Sequence, residues 1–436
     1  MHWPKSDADH LIVTARQMVD LEEKILSSGL PIEALMEKVG QKMSIWLLKN
    51  SNLSTKEVCV IVGPGHNGGD GLVVARELHL SGVKVSIWCP FTLKKPLTIK
   101  YYSYAKWLGL KELTHAPDIA GEELWIDALF GLGQTRPLPI EIANLLKARE
   151  DKRPGRLVSL DVPSGICADS GKPFDNGAAV ASFTLTAGFF KRGLLQDKAL
   201  PYVGKLVRID FGFSEKVLRQ LNLHSKFRIS SADVDSFNWS LPSKIASKYQ
   251  RGRLLIIAGS IKYPGAAALT AKGALASGAG YIKAAFPKAI AESYWQKVPE
   301  IVFPGHLEIS PRGSTHIGNF LKEVNLDRLD AIVIGPGLGA SEENWSDISL
   351  RLKEFSGIII FDADALNRIS DSKEGWEWLK SRRGTTLITP HLDEFKRLFR
   401  HIDCSIPLEA ARQAALSSGC GVLLKGAHSI FADPLG

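Results

Sequence analysis

Apolar and polar positions follow two rhythms along this chain. At the N-terminus the spacing is helical: Thr14 and Gln17 form a capping-box pattern, after which Met18, Leu21 and Ile25 share one face. Pro31 stands where a first helical residue is favoured, and Leu35, Met36, Val39, Met43 and Leu47 mark the apolar side of a second helix. From residue 58 the pattern becomes short apolar runs separated by helical stretches: VCVIV (58–62), KVSIWC (84–89), LWIDAL (124–129), RLVSLDV (156–162), SFTLTA (182–187) and KLVRID (205–210). Runs that are apolar on both faces and spaced for crossovers predict a mainly parallel sheet with helices on each side. A polar stretch near residues 214–250 interrupts this rhythm. It restarts with RLLIIAG (253–259), YIKAAF (281–286), AIVIG (331–335), GIIIFDA (357–363), TTLIT (385–389) and GVLLKG (421–426). Two α/β domains are expected, residues 1–225 and 226–436, the first of them Rossmann-like and doubly wound.

Composition narrows the function. The 436 residues exceed the usual span of one core, and 54 Lys and Arg against 46 Asp and Glu give a net charge of +8. The basic residues stand singly or in pairs such as Lys94-Lys95 and Arg382-Arg383, with no stripe interleaved with aromatics. That argues against nucleic acid and suits a small anionic ligand. Five cysteines (Cys59, Cys89, Cys167, Cys404, Cys420) are scattered and never spaced as Cys-x-x-Cys, which points to reduced thiols in a cytoplasmic protein. Asp7, Asp9 and His10 interrupt what would be a signal peptide, and no segment approaches the roughly 20 apolar residues of a membrane span.

Candidate chemistry gathers at strand ends. Gly63, Gly65 and Gly68 satisfy G-x-G-x-x-G directly after the 58–62 run, and a helix beginning near Asp70 would offer its free N–H groups to a phosphate. A dehydrogenase would also place an acid about 20 residues further on. None occurs between Glu77 and Glu112. Asp127 ends one strand ahead of Gly131-Leu132-Gly133, and Asp161 ends another ahead of Pro163-Ser164-Gly165. Since carboxyl ends of parallel strands face the ligand crevice, Asn67, Asp70, Asp127 and Asp161 are expected to converge there. The alternative is that these acids only cap the next helices.

The set NGGDG (67–71), DALFGLG (127–133) and DVPSG (161–165), with LMEKVG (35–40) and FKRG (190–193), resembles the NAD(P)H-hydrate epimerase family over roughly residues 11–225. The resemblance implies interconversion of the R and S epimers of NAD(P)HX, the cofactor damaged by addition of water to its nicotinamide ring. It implies that His66, Asn67, Gly68, Gly69, Asp70, Gly131, Leu132, Gly133, Gln134, Thr135, Arg136, Pro137 and Asp161 contact that substrate. It also implies a potassium ion (K+) among Asn67, Asp127 and Ser164. Asp161 is the candidate for moving protons at the hydroxyl-bearing carbon. His66 departs from the family's usual Asn.

In the second half, GPGLG (335–339), FDADALN (361–367), TPHLDEF (389–395) and KGAHS (425–429) resemble the ADP- or ATP-dependent NAD(P)HX dehydratases, which have a ribokinase-like fold. The resemblance implies a substrate pocket lined by Gly265, Ala266, Gly337 and His391. It implies contacts from Lys425, Gly426, Ala427, His428 and Ser429 to ADP or ATP, with Mg2+. Ser247-Lys248-Tyr249 occupies the region where relatives carry His-Lys, and the family's Gly-Thr-Gly-Asp segment has no counterpart before Gly436. The dehydratase half is therefore expected to be impaired in the chain as given. Alternatives for it are a nucleotide-binding domain without catalysis or a ribokinase-like small-molecule kinase. A homo-oligomer is expected.

Overall fold

The computed structural model describes residues 7–50, 57–213, 226–236, 243, 245–340 and 343–435. The chain divides into two compact units, Met1–Phe237 and Asn238–Gly436. The boundary expected near residue 225 lies outside the described residues. Residues 226–236 are held to the first unit: Phe227 bridges Leu11, and buried Asp233 accepts from His10 Nε2 at 2.8 Å.

Seven parallel strands form the sheet of the first unit: β2 (Glu57–Val62), β3 (Lys84–Trp88), β4 (Lys111–Leu113), β5 (Leu124–Ala128), β6 (Leu157–Leu160), β7 (Phe183–Ala187) and β9 (Lys205–Ile209). Their order, β4-β3-β2-β5-β6-β7-β9, reverses direction between β2 and β5. A ligand crevice opens at such a switch point. Both faces are covered. Val58, Val60 and Val62 pack with Met18, Val39, Met43 and Leu72, while Cys59 and Ile61 pack with Trp125, Ile142 and Leu146 on the other side. Burial on both faces is why these strands read as continuous apolar runs.

Ahead of the sheet, β1 (Ile12–Val13) pairs in parallel with β8 (Phe190–Lys191), a strand pair that the apolar pattern does not reveal. α1 (Ala15–Ser27) follows directly, its start closed by the expected capping box between Thr14 and Gln17. α2 (Ile32–Lys49) begins one residue after Pro31, which is the N-cap instead of the first helical residue.

The second unit holds nine strands in the order β13-β12-β11-β10-β14-β15-β16-β17-β18. β10 (Arg253–Ile257), β11 (Tyr281–Pro287), β12 (His306–Ile309), β14 (Ala331–Ile334), β15 (Ile358–Phe361), β16 (Thr386–Ile388) and β17 (Gly421–Leu424) run parallel. The edges β13 (Thr315–His316) and β18 (Ile430–Ala432) are antiparallel. The small-residue helix Pro264–Ala276 packs Ala267, Ala271 and Ala274 on one face against Ile256 and Phe286. The opposite face buries Ile332, Ile334, Ile359, Phe361 and Ile388, whereas their alternates Val333, Ile360, Leu387 and Leu423 are only half-buried.

Candidate active site

The site of the first unit is built where β2 and β5 diverge. α3 (His66–Leu80) starts four residues before the expected position near Asp70, so Asn67, Gly68, Gly69 and Asp70 lie within its first turns. Glycine permits this: a Cβ on Gly68 would stand 2.0 Å from the Gly63 carbonyl oxygen, and one on Gly63 would stand 1.7 Å from that of Leu129. The helix N-terminus is thereby pressed onto the strand ends, and no side chain caps it.

Asp161, one residue beyond β6, has φ 65°, in the left-handed region that costs a non-glycine residue about 1–3 kcal/mol. Its carboxylate is locked in place. Lys191 Nζ donates to Oδ1 at 2.5 Å, and the Leu132 amide donates to Oδ2 at 3.1 Å. Lys191 is itself buried, and donates further to Thr186 Oγ1 at 3.0 Å and to the Ala187 carbonyl at 2.6 Å.

A cavity of about 550 Å³ opens above this pair. Of the expected residues, His66, Asn67, Asp70, Asp161 and the turn from Gly131 to Gln134 line it. Gly68 and Gly69 are buried within the helix, while Thr135, Arg136 and Pro137 are exposed and outside the lining. The lining also includes Glu22 of α1 and Lys95. Burial, and then the charge of Asp161, push Glu22 up to about 7. Burial likewise holds Asp70 well above the usual carboxylate range, with Asp161 and Glu22 adding to the effect. His66, by contrast, is lowered by burial and by the charge of Lys95.

Asp127 does not join this group at the cavity surface, because it is fully buried under the turns after β5 and β6. Its oxygens accept from Leu129 N at 3.2 Å, Ser159 Oγ at 2.8 Å, Ser164 N at 2.9 Å and Ser164 Oγ at 2.6 Å. Burial raises its carboxyl, against those hydrogen bonds. These neutral donors solvate the charge without balancing it. Asn67 Nδ2 is buried without a partner, and with the amide turned its oxygen would stand there as an open ligand position. Hard oxygens around an uncompensated carboxylate fit an alkali cation. Among the described residues no group of three or more His, Cys, Asp or Glu is placed to hold a metal.

From sequence, Glu22 has no role, and Lys191 is placed only within the FKRG segment (190–193), also without a role. The available signal for Glu22 is an acid four residues after Met18, inside the apolar stripe of α1; for Lys191 it is the lysine of FKRG, directly after two phenylalanines.

In the second unit the expected residues line up along the carboxyl ends of neighbouring strands. A Cβ on Gly337 would meet that of Ala266 at 2.6 Å, and one on Gly335 would meet the Asp362 carbonyl oxygen at 1.8 Å. Lys425 Nζ donates to Asp362 Oδ1 at 2.6 Å, and the Lys425 backbone bridges His391. His391 caps the helix Leu392–Leu398, accepting from Asp393 N at 3.1 Å. Lys425 to Ser429 form the turn between β17 and β18, where Gly426, Ala427 and Ser429 are exposed and His428 is half-buried. Gly265 has open space around its Cα. Ala363, at φ 51°, repeats after β15 the left-handed backbone of Asp161 after β6.

A switch-point cleft floored by carboxyl groups and a buried lysine, on a doubly wound sheet and followed in the chain by a second mainly parallel unit, defines a two-unit α/β enzyme of the nucleotide-site class. Comparison with known proteins makes this specific. Residues 32–193 match the family described as YjeF-related protein N-terminus, and residues 254–436 match NAD(P)H-hydrate dehydratase. The chain is 39% identical to the bifunctional NAD(P)H-hydrate repair enzyme Nnr of Gloeobacter violaceus, across 98% of this chain and 83% of that protein. It is 37% identical to the enzyme of the same description from Synechocystis sp., across 98% and 80%. The crystal structure of the ADP/ATP-dependent NAD(P)H-hydrate dehydratase of Bacillus subtilis, obtained with ATP/Mg2+, aligns at a TM-score of 0.37 and 25% identity, covering 45% of this chain and 65% of that one. The chain belongs to the family of bifunctional NAD(P)H-hydrate repair enzymes. The expectation of an impaired dehydratase half draws no support from these matches, since the dehydratase match runs from residue 254 to residue 436.

Proposed function

We propose that the first unit interconverts the R and S epimers of NAD(P)HX and that the second dehydrates the S epimer with ADP or ATP and Mg2+. The observation that carries the first assignment is Asp161 in the lining of the switch-point cavity, ion-paired from behind by buried Lys191. The free N–H groups at the start of α3, with His66 and Lys95 on the rim, suit the pyrophosphate. Asp161, held by Lys191 and the Leu132 amide, exchanges protons at the hydroxyl-bearing carbon. Asn67, Asp127 and Ser164 would hold potassium, which would balance the buried charge of Asp127 and fix the turns that carry Leu132 and Asp161.

For the second unit, the support is the dehydratase match and the contiguous edge from Ala266 and Gly337 through Asp362 to Lys425 and His391. Lys425 would meet the nucleotide phosphates, and the substrate hydroxyl would be phosphorylated before phosphate leaves and NAD(P)H is restored. Among the described residues no helix is long and apolar enough to cross a membrane, and we place both activities in the cytoplasm.

Chromatographic separation of the epimers, with the uncatalysed rate subtracted, tests the first assignment. Wild type should equilibrate purified R-NADHX and Asp161→Asn should not; equal rates would remove Asp161 from the chemistry. Nucleotide-dependent recovery of reduced-nicotinamide absorbance tests the second.

A further inference from the structure

Glu22 is the cavity group that the foregoing reading leaves without a role. Met18, Leu21, Glu22 and Ile25 follow the i, i+3, i+4, i+7 spacing of one helix face, and Met18 and Leu21 are fully buried. An acid in that stripe is directed inward. The placement is set by pairing, since Val13 lies opposite Lys191 and α1 departs directly from that pair. Glu22 thus meets the same cavity as Asp70 of α3 and Asp161 after β6, with His66 and Lys95 on its rim.

The charges at this floor do not balance. Three carboxyl groups, Glu22, Asp70 and Asp161, line the cavity, and the one ammonium acting on all of them, that of Lys191, is in contact with Asp161 alone. Lys191 has three N–H donors, and Asp161, Thr186 and Ala187 take all of them. Neither Glu22 nor Asp70 is shifted by a hydrogen bond; only burial and neighbouring charges act on them. Carboxyl groups that line one cavity, with burial and each other's charge both opposing ionisation, hold a proton up toward neutral pH. Epimerisation needs this combination. Inverting a hydroxyl-bearing carbon requires an acid to release the hydroxyl and a base to receive its replacement.

We propose that Glu22 is a second catalytic group of the epimerase site, the acid that complements the carboxylate of Asp161; this rests on the epimerase reading above. Water added to an enamine places its hydroxyl on the carbon beside the nitrogen. When that C–O bond breaks, its electron pair leaves on oxygen, the Glu22 proton joins that oxygen, and water departs. The cation left behind is shared with the ring nitrogen. Water then adds to the other face, an oxygen lone pair forming the new C–O bond and Asp161 taking the released proton. Return of that proton to Glu22 through the shared cluster resets the site, and exchanged roles serve the reverse direction. A group titrating at about 7 is poised for both.

The test is the full chain acting on purified R-NADHX from pH 5.5 to 9, with kcat and KM separated and hydrogen exchange over α1 verifying the fold. Glu22→Gln should lower kcat roughly 10²-fold with KM changed less than about threefold, and should flatten the limb of the pH profile near neutrality. Glu22→Asp should recover part of kcat and restore the limb. An active wild type matched by Glu22→Gln in rate and pH profile would overturn the assignment while leaving the epimerase reading intact. So would a loss of kcat with the limb unchanged, which marks a structural role. A wild type no faster than the uncatalysed reaction would instead refute the epimerase reading, and this assignment with it.

Discussion

Replacing Lys191 by methionine keeps an unbranched four-atom stem and removes the ammonium, which makes it a direct measure of what holds Asp161 in the cavity. The Lys191 side chain is 1% exposed and that of Asp161 15%, so water cannot substitute for the lost charge. Asp161 would lose its 2.5 Å partner, and the Ala187 carbonyl would lose a donor at 2.6 Å. Breaking a buried pair by removing one member costs roughly 3–5 kcal/mol, most of it the uncompensated charge left behind. Here Glu22, which titrates at about 7, adds to that repulsion where it is ionised. Hydrogen exchange monitored by mass spectrometry over Phe183–Lys191 reads this in the intact chain, where a single unfolding transition is not expected. The exchange should quicken about 10²- to 10⁴-fold at pH 7.5. It should quicken less at pH 5, because protonation of the carboxyl cluster relieves the charge. In an Asp161→Asn background the same substitution should cost about 2 kcal/mol less, since the pair is already broken. An acceleration below tenfold at pH 7.5, or an equal effect in both backgrounds, would refute the account of Lys191 as the charge anchor.

Other predictions follow from the same geometry. Because Glu22 titrates at about 7 in the folded chain against an ordinary 4.5, the native state holds the extra proton between those values. Stability of the first unit should therefore be fully present below about pH 4.5 and fall by at most ~3 kcal/mol as pH rises through 7. Glu22→Gln should make that slope shallower in urea titrations by the Glu22 share, leaving the part due to Asp70 and Asp127, which burial also raises, and an unchanged slope would assign it elsewhere. Gly68→Ala, whose new methyl would stand 2.0 Å from the Gly63 carbonyl oxygen, should cost at least ~3 kcal/mol and lower the urea midpoint of the first unit. A variant within ~1 kcal/mol of wild type would mean that α3 can lift from the strand ends. In the second unit, Lys425→Met should weaken ADP binding in calorimetry about tenfold or more and leave epimerisation unchanged. Undiminished binding would remove Lys425 from the nucleotide site.

Much of this protein is legible in one dimension. The twelve apolar runs all become strands, because strands covered by helices on both faces need apolar residues at successive positions and show this as uninterrupted hydrophobicity. The capping box at Thr14 and the strand-end position of Asp161 are equally local, set by bonding and connectivity within a few residues. The strands left unseen, such as β1, β8 and β18, are two or three residues long, too short for any period to show. The start of α3 was placed too late because glycine has low helix propensity, whereas packing on Gly63 admits nothing larger. Asp127 reads like Asp161, each at a strand end before a glycine turn. Only tertiary structure separates them: Asp127 is closed over by Ser159 and Ser164 and loses access to the cavity, while Asp161 is turned toward it by a left-handed backbone. The charge balance of the site is likewise a property of the assembled fold. Glu22, Asp70, Asp161 and Lys191 come from four separate segments, and electrostatic coupling depends on distance and burial in space, neither of which sequence spacing conveys.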